Sequence, residues 1–203
     1  KEAGDHALNF GGMWHHDVSF RACPNMAQAL YAREVPAWGG DTMWANQYLA
    51  YESLSPGMRD MLDSMRAVHA TRRQWSEEDY VANYGIEREK IDFASIQRSE
   101  DAAEKTESVH PVVRTHPETG RKALFVNRAY TRRFDGMTAE ESEPLLEFLY
   151  AHGGRPEFTC RRRWAPGTLA LWDNRSALHY ALNDYHGARR VMHRVSIHGD
   201  RPV

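Results

Sequence analysis

The sequence has few cysteines, no long apolar run and no excess of either charge, and each shortage argues against a class of function. Its two cysteines, Cys23 and Cys160, lie too far apart to indicate a disulfide framework or a thiolate zinc site. Lysine and arginine total 26 against 28 aspartates and glutamates, so no broad basic field would attract nucleic acid or an anionic membrane. We therefore expect neither of these partners.

The sequence also lacks segments that would direct it to a membrane. It contains neither the roughly 20 apolar residues of a transmembrane helix nor the pattern of a signal peptide, which favours a soluble, cytoplasmic protein. Hydrophobic residues make up 41% of the 203 residues and charged residues 27%, a composition typical of a packed domain. Because the chain begins at Lys1 and reaches a histidine-rich motif almost at once, we expect a single domain over residues 1–203 that lacks an N-terminal portion.

Short apolar segments separated by turn residues predict a mainly β protein with attached helices. In the first half, residues 27–32 favour a strand, residues 42–54 a helix with aromatic residues at helical spacing, and Ser55 followed by Pro56 the start of another helix. The C-terminal half holds most of the predicted strands, which cover residues 158–164, 168–172, 176–180 and 190–198.

Two further patterns predict local structure between these segments. Residues 112–114 and 123–126 flank a Pro- and Gly-containing turn, which indicates a β-hairpin. Thr138 and Glu141 have the spacing of a capping box and precede an amphipathic helix. Residues 72–107 are polar and highly charged, and we expect a surface excursion there, either a solvated loop or a lid over a site.

His15 and Asp17 have the spacing of a pair of metal ligands. On an extended segment their side chains would share one face, while His16 would point away. A second imidazole, for which His179 is the candidate, would complete the two-histidine, one-carboxylate triad that holds Fe(II) and leaves coordination positions open. An HxD triplet in a chain with 11 histidines is weak by itself, so the hypothesis needs further motifs.

Arginines near the C-terminus could bind anions. If residues 190–198 form a strand, Arg190 and Arg194 share one face, and Val195 and Ile197 share the other. Guanidinium groups suit carboxylates and sulfonates because they are planar, permanently charged donors. The alternative is an exposed face with ordinary surface charges.

Taken together, the motifs resemble those of the taurine dioxygenase branch of the Fe(II)- and 2-oxoglutarate-dependent dioxygenases. The resemblance rests on residues 14–20 (WHHDVSF), 39–42 (GGDT), 172–175 (WDNR) and 189–194 (RRVMHR). The spacing agrees as well, because 24 residues, 18 to 41, separate Asp17 from Thr42, and 10 residues, 180 to 189, separate His179 from Arg190.

The resemblance implies a cofactor and a co-substrate. By this likeness His15, Asp17 and His179 bind Fe(II), and Thr42 and Arg190 hold the distal carboxylate of 2-oxoglutarate. Dioxygen is the third reactant, and succinate and CO2 are co-products. The implied fold is a double-stranded β-helix, a jelly-roll or cupin-like barrel with flanking helices.

The same resemblance implies a small anionic substrate. Arg194 corresponds to the residue that binds the substrate anion, and Tyr130 and Trp75 fall where aromatic side chains line the substrate pocket. The expected reaction is hydroxylation of taurine or a related alkyl sulfonate, with release of sulfite and an aldehyde. An alkyl sulfate, an aryloxyacetate or another carboxylate is the alternative substrate, and a non-catalytic metal-binding jelly roll is a remote alternative. We also expect a homo-oligomer.

Overall fold

The computed structural model describes residues 11–70, 107–185 and 187–203, and these ranges form a mainly β structure with few helices. The strands are β1 (Ala27–Glu34), β2 (Thr42–Asn46), β3 (Arg66–Ala70), β4 (Glu107–Pro111), β5 (Val113–Thr115), β6 (Lys122–Leu124), β7 (Thr131–Phe134), β8 (Thr159–Arg162), β9 (Leu169–Asp173), β10 (Ala177–Ala181) and β11 (Val191–Ile197). The helices are α1 (Gln47–Glu52), α2 (Pro56–Asp63), α3 (Ala139–Gly153) and a short 3₁₀ helix (Pro156–Phe158). In these ranges we find no helix that is long and apolar enough to cross a membrane.

The strands pair in four small antiparallel sheets. Strand β1 lies between β9 and β11, β2 between β8 and β10, and β3 between β4 and β7, while β5 pairs with β6. The predicted hairpin is confirmed, with Val113 opposite Leu124. The predicted C-terminal strands are also present as β8 to β11, each within two residues of the expected ends.

Two helices begin where the sequence predicts. The Ser55 side chain accepts a hydrogen bond from the backbone N–H of Met58 and Pro56 occupies the first turn of α2, which satisfies a donor at the helix start. Thr138 and Glu141 form a complete capping box at the start of α3. The helices pack a core against the sheets, built from buried residues that include Leu62, Val112, Leu124, Phe134, Leu146 and Leu149.

The predicted helix over residues 42–54 is wrong at its N-terminal end. Residues 42–46 form β2, which pairs through backbone hydrogen bonds with β8 on one edge and with β10 on the other. The helix starts only at Gln47, where the Asn46 side chain caps the backbone N–H groups of Tyr48 and Leu49. The aromatic spacing suggested a continuous helix, but ladder pairing on both edges of β2 outweighs a weak local preference.

One face of the sheet formed by β9, β1 and β11 is apolar and exposed. Leu169 and Leu171 of β9 are 65% and 67% exposed and Val195 of β11 is 62% exposed. The strand register places Ala29 of β1 opposite both Leu171 and Val195, so these side chains lie on one surface. The alternation of residues along β11 predicts one apolar side. In the described part of the chain, this side faces outward.

The predicted excursion at residues 72–107 lies outside the described residues except for Glu107, which begins β4. The substrate-pocket residue proposed at Trp75 also lies outside them.

Three buried histidines surround Phe125, behind the loop that carries the HxD motif. The ring centroids of His16, His69 and His110 lie 4.7, 5.7 and 5.7 Å from that of Phe125. His69 is hydrogen-bonded to the Ser19 hydroxyl at 3.0 Å, and all three histidines are at most 1% exposed. Burial lowers the pKa of His110 to about 4, although a hydrogen bond to the Arg21 carbonyl opposes the shift. Burial also places the pKa of His69 well below its ordinary value.

We predict that the metal-free protein loses stability as the pH falls from about 6.5 to about 4. An unfolded histidine takes up a proton near pH 6.5, whereas folded His110 stays neutral down to about pH 4, so acid favours the unfolded chain. The loss attributable to His110 is on the order of 3 kcal/mol. Urea unfolding midpoints, measured with a chelator present, should fall over this range and fall less steeply in His110→Gln.

His193→Gln, which replaces an exposed imidazole, is the matched control. An unchanged slope in His110→Gln would contradict the assignment of this pH dependence to His110.

Candidate metal centre

The backbone joins the two histidines of the candidate triad directly. The N–H of His15 donates to the carbonyl of His179 at 3.1 Å, and the N–H of His179 donates to the carbonyl of His15 at 3.0 Å. This isolated antiparallel bridge attaches the HxD loop to strand β10. As a result, side chains that are 164 positions apart in the sequence (179 − 15) have ring centroids 4.0 Å apart.

The side chains of His15, Asp17 and His179 converge on one point. Asp17 Oδ1 lies 3.5 Å from His15 Nε2, and Asp17 Oδ2 lies 3.5 Å from His179 Nε2. One ligand atom from each residue lies within 4.8 Å of the others, and all three residues are 7% exposed. Two imidazole nitrogens and one carboxylate oxygen form the donor set that non-haem Fe(II) takes.

The hydrogen bonds of the cluster leave its ligand atoms available. The Nδ1 atom of His15 lies 2.8 Å from the Met13 carbonyl and therefore carries the proton, which leaves a lone pair on Nε2. Asp17 Oδ2 is buried and has no hydrogen-bond partner among the described residues. A buried carboxylate oxygen without a donor is costly, and a cation at this point would satisfy it. The residues therefore fit a divalent metal.

Charge and burial set the protonation states that a metal requires. Burial alone would raise the pKa of the Asp17 carboxyl, but the neighbouring side chains of His15, His179 and Arg194 bring it below its ordinary value. Burial and the neighbouring His15 hold the pKa of His179 well below its ordinary value, against the opposing effect of Asp17. At neutral pH the cluster therefore presents an ionised carboxylate and a neutral His179 imidazole, as metal ligands must be.

The extended segment considered for the HxD motif ends at His16, because Asp17 begins a turn. Only His15 takes part in a bridge, and the chain turns at residues 17–20. Val18 has φ = 48°, a left-handed conformation that a β-branched residue rarely adopts. His16 points away from the cluster, as expected from its place between the two ligands, and its Nδ1–H donates to the carbonyl of Asn174 at 2.8 Å. Burial lowers the pKa of His16 to about 4.

Thr42 lies on the same sheet face as His179. In the ladder between β2 and β10, Trp44 is opposite His179 and Thr42 is opposite Ala181, and alternate residues of a strand share a face. Thr42 is 3% exposed, and its hydroxyl accepts a hydrogen bond from Trp164 Nε1 at 3.0 Å.

Arg190 packs against the turn that precedes Thr42. A Cβ atom at Gly40, whose φ is 69°, would lie 3.1 Å from Arg190 Cδ, so a glycine is needed here both for conformation and for space. Burial lowers the pKa of Arg190, while Tyr185 and Asp41 oppose the shift. The adjacent Arg189 is exposed and forms an ion pair with Glu34 at 2.7 Å. Of the two neighbours, Arg190 is therefore the one directed into the protein near Thr42.

Arg194 stands at the open side of the cluster. Its Nη1 atom lies 3.9 Å from Asp17 Oδ1, and its side chain is 60% exposed. Tyr130 packs edge to face on Phe20, with ring centroids 5.1 Å apart, just beyond the turn that carries Asp17.

The sequence analysis missed one residue that contacts the cluster. This residue is Asn174, which lies within the motif of residues 172–175. Asn174 is fully buried and its side chain contacts the backbone of Asp17. The signal available in the sequence was the position of Asn174, which is a polar residue in the turn just before the strand that carries His179.

A second cluster, formed by His116, Glu118 and Asp173, has metal-ligand residue types. Arg175 occupies its centre, with hydrogen bonds to both oxygens of Glu118 at 2.9 and 3.0 Å and to Asp173 Oδ2 at 2.6 Å. Because a permanent cation already pairs with both carboxylates, this cluster is an ion-pair network.

The chain is similar in sequence to curated proteins. An alpha-ketoglutarate-dependent sulfate ester dioxygenase of Pseudomonas putida is 38% identical over 192 residues, which cover 94% of this chain and 60% of that protein. An alkylsulfatase of Acinetobacter baylyi is 35% identical over 189 residues, or 92% of this chain and 56% of that protein. The chain thus spans little more than half the length of these curated relatives.

The chain is also similar to solved structures. A taurine dioxygenase from Burkholderia xenovorans superposes with a TM-score of 0.77 at 35% identity, covering 97% of this chain and 61% of that one. The structure of AAD-2 in complex with Mn(II) and N-oxalylglycine has a TM-score of 0.77 at 26% identity and covers 99% of this chain and 74% of that one. A family model described as "Taurine catabolism dioxygenase TauD, TfdA family" matches residues 1–196, and the chain belongs to this family.

Proposed function

We propose that this chain is the catalytic part of an Fe(II)- and 2-oxoglutarate-dependent dioxygenase that acts on a small organic anion. The observation that carries the proposal is the buried cluster of His15, Asp17 and His179, whose three ligand atoms lie within 4.8 Å of one another. Three protein ligands leave room for a chelating oxo-acid and dioxygen. The names of the relatives, which include dioxygenases dependent on alpha-ketoglutarate, support the same chemistry.

Each residue of the site has a task in this proposal. His15, Asp17 and His179 hold the metal, which when bound supplies the activation of dioxygen. Thr42 and Arg190 bind the distal carboxylate of 2-oxoglutarate, since Arg190 offers a fixed pair of donors beside the turn before Thr42. One oxygen atom enters the substrate, and the other enters succinate as 2-oxoglutarate loses CO2.

We propose that the substrate anion is a sulfonate or an alkyl sulfate ester. Arg194 supports this assignment because its guanidinium group lies beside Asp17 and remains exposed to an incoming anion. Sulfate ester dioxygenase, alkylsulfatase and sulfonate dioxygenase all appear among the names of the relatives. Hydroxylation of the carbon next to the sulfonate sulfur or the ester oxygen would release an aldehyde with sulfite or sulfate. Tyr130 is proposed to line the pocket.

The remaining expectations stay predictions. The complete fold is proposed to be a double-stranded β-helix in a single domain, consistent with the four antiparallel sheets and the related structures. Homo-oligomer formation and a cytoplasmic location are further predictions from the sequence. A structural zinc site is a poor alternative, because such sites take four protein ligands and this cluster in the described residues has three.

We predict that His15→Ala, Asp17→Ala and His179→Ala each abolish tight Fe(II) binding. Each change removes one of three ligands, and the wild-type chain should form a visible charge-transfer band when Fe(II) and 2-oxoglutarate are added without oxygen. His193→Ala, at an exposed site, should retain the band and 2-oxoglutarate-dependent succinate formation. A triad variant with wild-type Fe(II) affinity would remove that residue from the site.

Arg190→Ala should weaken 2-oxoglutarate binding about tenfold or more and leave Fe(II) affinity nearly unchanged. The expected loss follows from a charge-assisted hydrogen bond worth about 1.5 to 3 kcal/mol. Arg189→Ala is the matched control, because that side chain is exposed and paired with Glu34. Binding of 2-oxoglutarate under anaerobic conditions would be measured in both variants. Greater loss in Arg189→Ala would show that the co-substrate arginine had been misassigned.

Arg194→Ala should raise the KM for the anionic substrate about tenfold or more, by loss of the same kind of charged contact. Sulfite, sulfate and succinate would be measured over a panel of alkyl sulfonates, sulfates and carboxylates. Slow, substrate-independent decay of 2-oxoglutarate should persist, because Arg194 is not assigned to the co-substrate. Equal loss of the substrate-dependent and substrate-independent rates would refute the proposed role of Arg194.

A further inference from the structure

Asn174 forms several hydrogen bonds that join the turn before the strand of His179 to the loop that carries His15 and Asp17. It lies in the turn between β9 and β10, five residues before His179 (179 − 174), and it is fully buried. Its Oδ1 atom accepts from the N–H of Asp17 at 2.8 Å, and its Nδ2 atom donates to the Asp17 carbonyl at 3.1 Å and to the Asn25 carbonyl at 2.9 Å. Its side chain thus uses both donors and its acceptor.

The main chain of Asn174 adds two further bonds to the same loop. Its carbonyl accepts from His16 Nδ1 at 2.8 Å, and its N–H donates to the carbonyl of Met26 at 2.8 Å. The loop that carries the HxD motif is therefore attached to Asn174 through His16, Asp17, Asn25 and Met26.

These contacts fix the direction of the Asp17 side chain. The N–H and carbonyl of Asp17 belong to the two peptide groups on either side of its Cα atom, and both are bonded to the same amide. With both peptide planes fixed, the Cα–Cβ bond of Asp17 has little freedom. The next residue, Val18, has φ = 48°, a conformation that is unfavourable for a β-branched residue and persists only where the surroundings impose it.

The turn that carries Asn174 is itself held on both sides. Arg175 donates to Asp173 through Nε at 2.9 Å and through Nη2 at 2.6 Å, and it also binds Glu118. His116 lies 3.0 Å from Asp173 Oδ2. The ion-pair network thus anchors the residues before and after Asn174, so that its amide is a rigid support.

We propose that Asn174 is a positioning residue that sets the direction of the Asp17 carboxylate relative to His179 and thereby determines metal affinity. This inference rests on the proposed function of the cluster as an iron site. Asn174 acts through Asp17, since both polar atoms of its side chain are hydrogen-bonded to the backbone of the loop. Outer contacts that orient a metal ligand typically contribute 10- to 100-fold to metal affinity.

The test compares Asn174→Ala, Asn174→Asp and Gln47→Ala. Gln47 is the matched control because it is also a buried amide, 1% exposed, and donates to two carbonyls, those of Ala45 and Gly153, neither belonging to a proposed metal ligand. Anaerobic Fe(II) titration would give the dissociation constant, and the melting temperature with and without Fe(II) would separate metal binding from general stability.

We expect the Fe(II) dissociation constant of Asn174→Ala to rise about 10- to 100-fold and the Fe(II)-induced increase in melting temperature to shrink. Asn174→Asp keeps the acceptor for the Asp17 N–H and the size of the side chain, so its affinity should lie between those of Asn174→Ala and wild type. Gln47→Ala should lower the melting temperature of the metal-free chain and leave Fe(II) affinity close to that of wild type, because its hydrogen bonds do not reach a proposed metal ligand.

Wild-type Fe(II) affinity in Asn174→Ala would overturn the inference while leaving the iron site intact. An equal loss of affinity in Gln47→Ala would also overturn it, because any buried amide would then have the same effect. A wild-type chain that does not bind Fe(II) would overturn the proposed iron site together with the inference.

Discussion

The candidate metal centre depends on the pair of main-chain hydrogen bonds between His15 and His179. These bonds join the loop carrying Asp17 to strand β10, and that strand is held in register by β2. Side chains on a loop are usually placed with less accuracy than those on a strand. Here the loop is positioned as accurately as the sheet, because its backbone is hydrogen-bonded to His179, the residue that contributes the second imidazole.

A second constraint is the electrostatic balance of a buried carboxylate. Asp17 is 7% exposed, and burial of a charge is costly unless opposite charge or hydrogen bonds compensate. Arg194 supplies part of this compensation, and the hydrogen bond from the Asp17 N–H to Asn174 fixes the position of the residue. A metal cation would supply the rest. The same features that make the cluster unfavourable when it is empty would therefore favour metal binding.

Three arginines near the C-terminus have the same chemistry but different surroundings. Arg189, Arg190 and Arg194 lie within six residues (189 to 194), yet the first forms a surface ion pair, the second packs on Gly40 and the third lies beside Asp17. One guanidinium group near Thr42 and another beside the metal cluster suit two different anions. This arrangement agrees with an enzyme that binds an oxo-acid and an anionic substrate together.

The sequence by itself determined the family, the residues of the candidate metal cluster and most of the strands, because these depend on local motifs and on their spacing. Ser55 and Thr138 were found from sequence for the same reason, since a helix cap is a short-range hydrogen bond. The strand at Thr42–Asn46 was missed because its pairing with β8 and β10 joins segments more than 100 residues apart in the sequence. Only the tertiary structure decided that Asp17 begins a turn with Val18 at positive φ, that the apolar face of β11 points outward, and that Asn174 holds Asp17. Each of these features depends on contacts between distant parts of the chain, and neither periodicity nor spacing in a single sequence encodes them directly.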